Sequence, residues 1–118
     1  MLIRVDPQST VPLFAQIADA LRADITGGRL AAGERLPAAR DVAEALHVNL
    51  HTVLHAYQDL RDEGLVDLRR GRGAVVTPAG AALAGLQAEI VALVDKARSL
   101  NVSPDTLSAL VKEAARDR

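Results

Sequence analysis

Apolar side chains recur at three- and four-residue spacing from Phe14 through Ile17 and Leu21 to Ile25, between Pro12 and the Gly27-Gly28 pair. This pattern predicts a first helix with one buried stripe. Gly33 and Pro37 then leave room for only a loop and one or two strand residues around Glu34-Arg35-Leu36. A short second helix is predicted from Ala38 to Leu46, with Val42, Ala43 and Leu46 inward. After His47-Val48-Asn49, a third helix runs from Leu50 to Glu63 and stops at Gly64. Asn49 is its expected N-cap, with the side-chain oxygen accepting from the backbone N–H of Thr52. Val53, Ala56, Tyr57 and Leu60 form the inward stripe of this helix; His51, Thr52, His55, Gln58, Asp59 and Asp62 fall on the other side.

After Gly64 the period changes to that of strands, Leu65 to Arg69 and Ala74 to Thr77, joined by Arg70-Gly71-Arg72-Gly73 as an arginine-bearing hairpin tip. Pro78 and Gly80 mark a hinge before a fourth helix from Ala81 to Leu100, striped by Leu83, Leu86, Ile90, Leu93, Val94, Ala97 and Leu100. Ser103 followed by Pro104 opens a last helix with Leu107, Leu110, Val111 and Ala114 inward. A short helix, a tight turn, a capped helix and a Gly-rich hairpin follow one another in the order of a winged helix-turn-helix. The predicted fold is therefore mainly α with a small β-hairpin: a winged helix-turn-helix over residues 1–77, followed by a two-helix C-terminal tail over 78–118.

Composition narrows this picture. The chain has 118 residues, 49% of them hydrophobic but only 2% aromatic, so the core must be aliphatic. Cysteine is absent, which excludes disulfides, thiolate metal sites and cysteine nucleophiles, and agrees with the cytoplasm as compartment. The N-terminal residues 1–7 alternate like a short strand and lack the apolar run of a secretory signal. No stretch is expected to supply the roughly 20 apolar residues that span a bilayer, so no membrane partner is expected. Net charge is −1, with no global basic excess to announce a nucleic acid. DNA attraction must therefore be local, from Arg40 and the wing residues Arg69, Arg70 and Arg72.

Six blocks in register, Pro12-Leu13-Phe14-Ala15-Gln16-Ile17, Gly33 to Arg40, Val48-Asn49-Leu50-His51-Thr52-Val53, Ala56-Tyr57, Glu63-Gly64-Leu65 and Arg70 to Gly73, resemble the GntR family of bacterial regulators. The Asn before a Thr-Val pair, the following Ala-Tyr and the short helical tail resemble its YtrA-type subfamily. The resemblance implies DNA contacts from Arg40, from Asn49, His51 and Thr52, and from Arg70, Gly71 and Arg72. It also implies a dimerising helical tail and a role in repression, commonly of an operon encoding an ABC-type transporter. This chain departs from the family at Ala38 and Ala39, where Ser and Glu are frequent, at Leu50, where Arg or Pro is usual, and at His51, where the subfamily has Asn.

His51 and His55 lie one turn apart on the exposed face, a spacing that can hold a metal. The preferred reading is a base or phosphate contact, because a metal would lack a nearby inward carboxylate; no metal and no cofactor are expected. Since histidine changes charge between pH 5 and 8, this reading predicts operator affinity that rises as pH falls. No nucleophile elbow or phosphate loop is present, so no enzyme is expected. The stripe of the fourth helix exceeds what the head can cover, which points to a homodimer built on Leu83, Leu86, Ile90, Leu93, Ala97, Leu100, Leu107 and Leu110. Two recognition helices then meet an inverted-repeat operator in double-stranded DNA. A small-molecule effector, if any, would bind between tail and head or at the dimer interface. Two alternatives stay open: a partition or antitoxin-like DNA-binding module with no regulatory output, and a protein-binding winged helix.

Overall fold

The computed structural model describes residues 3–117. Helix α1 spans Leu13–Thr26, α2 Ala39–Leu46 and α3 Leu50–Asp62; strands β1 Val66–Arg69 and β2 Gly73–Val76 follow, then α4 Pro78–Ala82, α5 Ala84–Ser99 and α6 Pro104–Arg116. The chain divides into two compact units, one ending at Ala84 and one starting at Gly85.

In the first unit, Ile17, Leu21 and Ile25 of α1 meet Val53 and Leu60 of α3, and Val66 and Val76 of the hairpin close the core, all essentially without solvent exposure. Burying aliphatic side chains of this size stabilises the head by roughly 1.5–3 kcal/mol each. The aliphatic core that the composition demands is thus supplied by α1, α3 and the hairpin. Gln16 organises the N-terminal segment: its Nε2 donates to the carbonyls of Asp6 and Val11, and its Oε1 accepts from the Asp6 N–H. The described part of the expected N-terminal strand, residues 3–7, forms no strand; Ile3 and Val5 pack on the core without a pairing partner. Met1 and Leu2 lie outside the described residues.

β1 and β2 pair antiparallel in the register Val66–Val76 to Arg69–Gly73. Segment 33–36 adds to the free edge of β2: Arg35 bridges Val75, Leu36 N–H donates to the Ala74 carbonyl at 2.8 Å, and Val76 N–H donates to the Glu34 carbonyl at 2.8 Å. The α2–α3 turn is closed by His47 in the left-handed conformation at φ 56°, where glycine would be unstrained.

The expected hinge at 78–80 is instead helical, and the helix expected from Ala81 to Leu100 is divided into α4 and α5. Thr77 explains the start of α4. Its hydroxyl accepts from the Gly80 N–H at 2.9 Å and donates to the Gly64 carbonyl at 2.7 Å, and Pro78 follows at the first helical position. Gly80 is buried; a Cβ there would stand 2.7 Å from the Leu65 carbonyl oxygen, so only glycine lets α4 lie against the head.

Against the sequence expectation, the stretch Pro78–Ser99, 22 residues with mean hydropathy 1.2, is long and apolar enough by length and composition to cross a membrane. Its residues up to Ala84, however, belong to the first compact unit, with Gly80 against Leu65 and Ile25 of the core. Residues 85–99 that remain would extend about 22 Å at 1.5 Å per residue, short of the roughly 30 Å of a hydrocarbon core.

In the second unit, Ser103 Oγ accepts from the Thr106 N–H at 3.2 Å and Pro104 begins α6, as the sequence pattern predicts. Ala97 is buried, and the Val102 N–H donates to its carbonyl across the turn.

Candidate nucleic-acid interface

The third helix is capped by Asn49, but not as expected: its Oδ1 accepts from the His51 N–H at 2.8 Å, and the Thr52 N–H donates instead to the Asn49 carbonyl at 3.0 Å. An Asn side chain reaches the N–H two residues on with the least distortion, making an Asx turn. The cap holds Asn49 and His51 exposed at the start of α3, beside the half-buried Thr52.

Tyr57, on the inward stripe, fixes α3 against the entry to α2. Its hydroxyl donates to the Pro37 carbonyl at 2.5 Å. Burial, with the nearby Asp41 carboxylate adding, pushes its pKa up to about 12. Arg40 is the second residue of α2 and is exposed. Ala38 offers no side-chain cap, so the first N–H groups of α2 keep no side-chain partner at that residue.

His55 is placed differently from a free contact residue. Its ring stacks on Phe14 of α1, centroids 3.8 Å apart at 13°, and its Nε2 lies 3.7 Å from Asp59 Oδ1. It ties α1 to α3 while about half of its side chain faces solvent. Asp59, which the helical period already put on the same face, is thus a carboxylate neighbour of His55; no cluster of three metal-ligating side chains occurs among the described residues.

At the wing, the Arg72 N–H donates to the Arg69 carbonyl at 3.1 Å, closing a turn whose third residue, Gly71, sits at φ 78°. A side chain is disfavoured there for backbone reasons. Arg70 and Arg72 flank this glycine and are exposed. Arg69 lies 3.5 Å from Asp67 and so spends part of its charge within the strand.

The head holds nine arginines against ten carboxylates over residues 1–77, yet the pairing is uneven. Arg22 takes Glu63 through two hydrogen bonds of 2.7 and 2.6 Å and Asp19 through a third of 2.7 Å. The Glu63 bond, more than any other influence, holds the Arg22 guanidinium further above its ordinary range. Arg29 takes Asp24 at 2.7 Å and Arg61 takes Asp62 at 3.2 Å. Among the described residues of the head Arg4, Arg35, Arg40, Arg70 and Arg72 form no ion pair. Three of these five were singled out by sequence. Arg35 was missed, because only its bridge to Val75, a tertiary contact, carries it to the wing.

Of the tail positions, Leu86, Ile90, Leu93, Leu100 and Leu110 are 44–65% exposed, as are Val91 and Val111. Leu107 is half-buried and Ala97 buried within the second unit, whereas Leu83 packs on the core of the head.

Two helices at a tight turn, a capped α3 and an arginine-tipped hairpin beside it define a winged helix-turn-helix, a fold that presents a helix and a wing to duplex DNA. The family model for bacterial regulatory proteins of the gntR family matches residues 13–76, and this chain belongs to that family. It is 33% identical over 76 residues to the HTH-type transcriptional repressor YtrA of Bacillus subtilis, covering 64% of this chain and 58% of that protein. The chain thus spans little more than half of that relative's length. The structure of YtrA from Sulfolobus acidocaldarius, a GntR-family transcription factor, superposes with a TM-score of 0.60 at 39% identity over 65% of this chain and 81% of that one. The DNA-binding domain of AraR in complex with operator ORX1 superposes with a TM-score of 0.57 at 25% identity over 63% of this chain and 92% of that one.

Proposed function

We propose that this chain is a cytoplasmic, sequence-specific DNA-binding transcriptional regulator, and not an enzyme, that represses as a homodimer on an inverted-repeat operator. Residues 1–77 are assigned to DNA binding and 78–118 to dimerisation. The observation that carries the reading is that Arg35, Arg70 and Arg72, none of them in an ion pair, line one groove beside α3 in a net-acidic head. Arg40 and the wing engage phosphates, while Asn49, His51 and Thr52 meet base edges. The operator-bound domain of AraR, which shares this fold, supports the DNA partner. Self-association is supported by the exposed leucines, isoleucine and valines of α5 and α6, an apolar surface that water disfavours.

Footprinting on the chain's own upstream region, followed by selection from random duplexes, tests the reading. A protected inverted repeat with half-sites about one or two helical turns apart, each turn about 34 Å, is expected. No specific protection in either experiment refutes it. A reporter fused to the protected region separates a repressor from a DNA-binding module without output. Light scattering on the full chain should give a dimer that Ile90→Glu with Leu93→Glu converts to a monomer; a wild-type monomer at tens of micromolar refutes the role given to the tail.

A further inference from the structure

A groove of about 580 Å³ lies within the first unit, between the entry to α2, the flank of α3 and the inner face of the wing. Its volume is within the range of small-molecule sites. The floor is aliphatic, with Leu36, Pro37, Ala39, Leu54, Leu68 and Ala74, and the rim carries Arg35, Arg69, Arg70 and Arg72. No carboxylate is among the lining residues. Asp67, on the strand beside the rim, lies 3.5 Å from Arg69. Leu68 is a leucine left 40% exposed on the wing.

Duplex DNA uses only the cations of such a groove, because a sugar-phosphate backbone offers nothing to an aliphatic floor. A cationic rim over an apolar floor complements a molecule with an acidic head and an apolar body. We propose that this groove binds a small amphiphilic anion, and that its occupation removes the chain from DNA by taking up Arg70 and Arg72. The second half rests on the DNA reading above. The effector site then belongs to the head itself.

Octyl phosphate below its micellar concentration is the probe. Inorganic phosphate supplies the charge alone, and octyl glucoside the apolar body alone. Calorimetry on the full chain should show saturable binding of octyl phosphate at about one site per chain and at least tenfold weaker binding of either control. Leu68→Glu, which sets a carboxylate at an exposed position of the groove, and Arg35→Gln should each weaken binding about tenfold. Gln8→Glu, at an exposed position outside the groove, should leave it unchanged. Circular dichroism checks that each variant folds, and the Arg35 variant decides should the Leu68 one fail. Binding that is absent, matched by either control, or indifferent to both groove variants overturns the site. In the second measurement octyl phosphate should release a labelled upstream duplex at an ionic strength where inorganic phosphate does not; a duplex that stays bound overturns the exclusion of DNA. Should the chain bind no DNA at all, the function proposed above fails while the calorimetric result stands on its own.

Discussion

If DNA is held by the unpaired arginines, the salt dependence of binding should distinguish them from arginines of equal charge elsewhere. Each neutralised phosphate contributes about −0.9 to the slope of log K against log salt. Arg70→Gln removes one contact per head and two per dimer, so the slope should become shallower by about 1.8. Over a fourfold rise in salt, from about 50 to 200 mM, that is roughly a tenfold smaller loss of affinity. Arg72→Gln and Arg40→Gln should behave alike. Arg61→Gln is the control: it changes net charge by the same amount, but Arg61 already faces Asp62 at 3.2 Å. Its slope should match wild type. Fluorescence anisotropy with the footprinted duplex measures all four. A shallower slope for Arg61→Gln equal to that of Arg70→Gln would mean that net charge governs binding, and an unchanged slope for the wing variants would remove the wing from the interface.

Tyr57→Phe leaves the Pro37 carbonyl without its donor and should cost about 1–2 kcal/mol in denaturant unfolding. Because burial raises the phenol to about 12, the folded state favours the neutral form. Wild-type stability should hold up to the ordinary tyrosine range near pH 10 and fall as pH rises through about 12; a Phe variant with the same alkaline decline would refute that assignment. His47→Gly should stabilise the head by about 0.5–1 kcal/mol by relieving a left-handed backbone, and a lowered denaturation midpoint would show that the ring makes contacts worth more than the strain. Gly80→Ala places a Cβ 2.7 Å from the Leu65 carbonyl oxygen and 3.2 Å from its Cα, both backbone atoms, and should cost about 1–3 kcal/mol. Gly85→Ala, with open space around the same atom, should cost nothing; equal effects of the two would remove the docking of α4 as the reason for glycine at 80.

The three helices of the head, the hairpin and the inward stripe of α3 were legible because periodicity and glycine placement act locally. The same Ser/Thr-Pro signature starts two helices, at Ser103-Pro104 and at Thr77-Pro78, yet only the first is readable. After Pro104 the sequence turns polar and amphipathic; after Pro78 come Ala79 and Gly80, which read as a hinge because the reason for Gly80, the Leu65 backbone, is distant in sequence. His55 shows the same limit. Helical periodicity puts it on the polar face, but Phe14, 41 residues earlier, takes one side of its ring. Arg35 reaches the wing through a strand bridge to a residue 40 positions later, a contact that no local pattern encodes.

A head with net charge −1 is an unpromising DNA binder only if charge is summed. At physiological salt the Debye length is about 8 Å, so a phosphate on the wing senses the arginines beside it and little of the carboxylates elsewhere on the head. Half of those carboxylates are in any case spent: Asp19 and Glu63 on Arg22, Asp24 on Arg29, Asp62 on Arg61 and Asp67 on Arg69. What this arrangement gives up is long-range attraction, and with it much of the sequence-independent binding that a basic domain cannot avoid. A docked head keeps its short-range contacts, while a misplaced head gains nothing from its overall charge. Binding then depends on register, and in the proposed dimer a second tethered head, which raises the local concentration of the first at its half-site, would add affinity only where the operator repeats. The acidic balance of the domain thus favours discrimination over strength, and the paired arginines contribute to that as directly as the free ones.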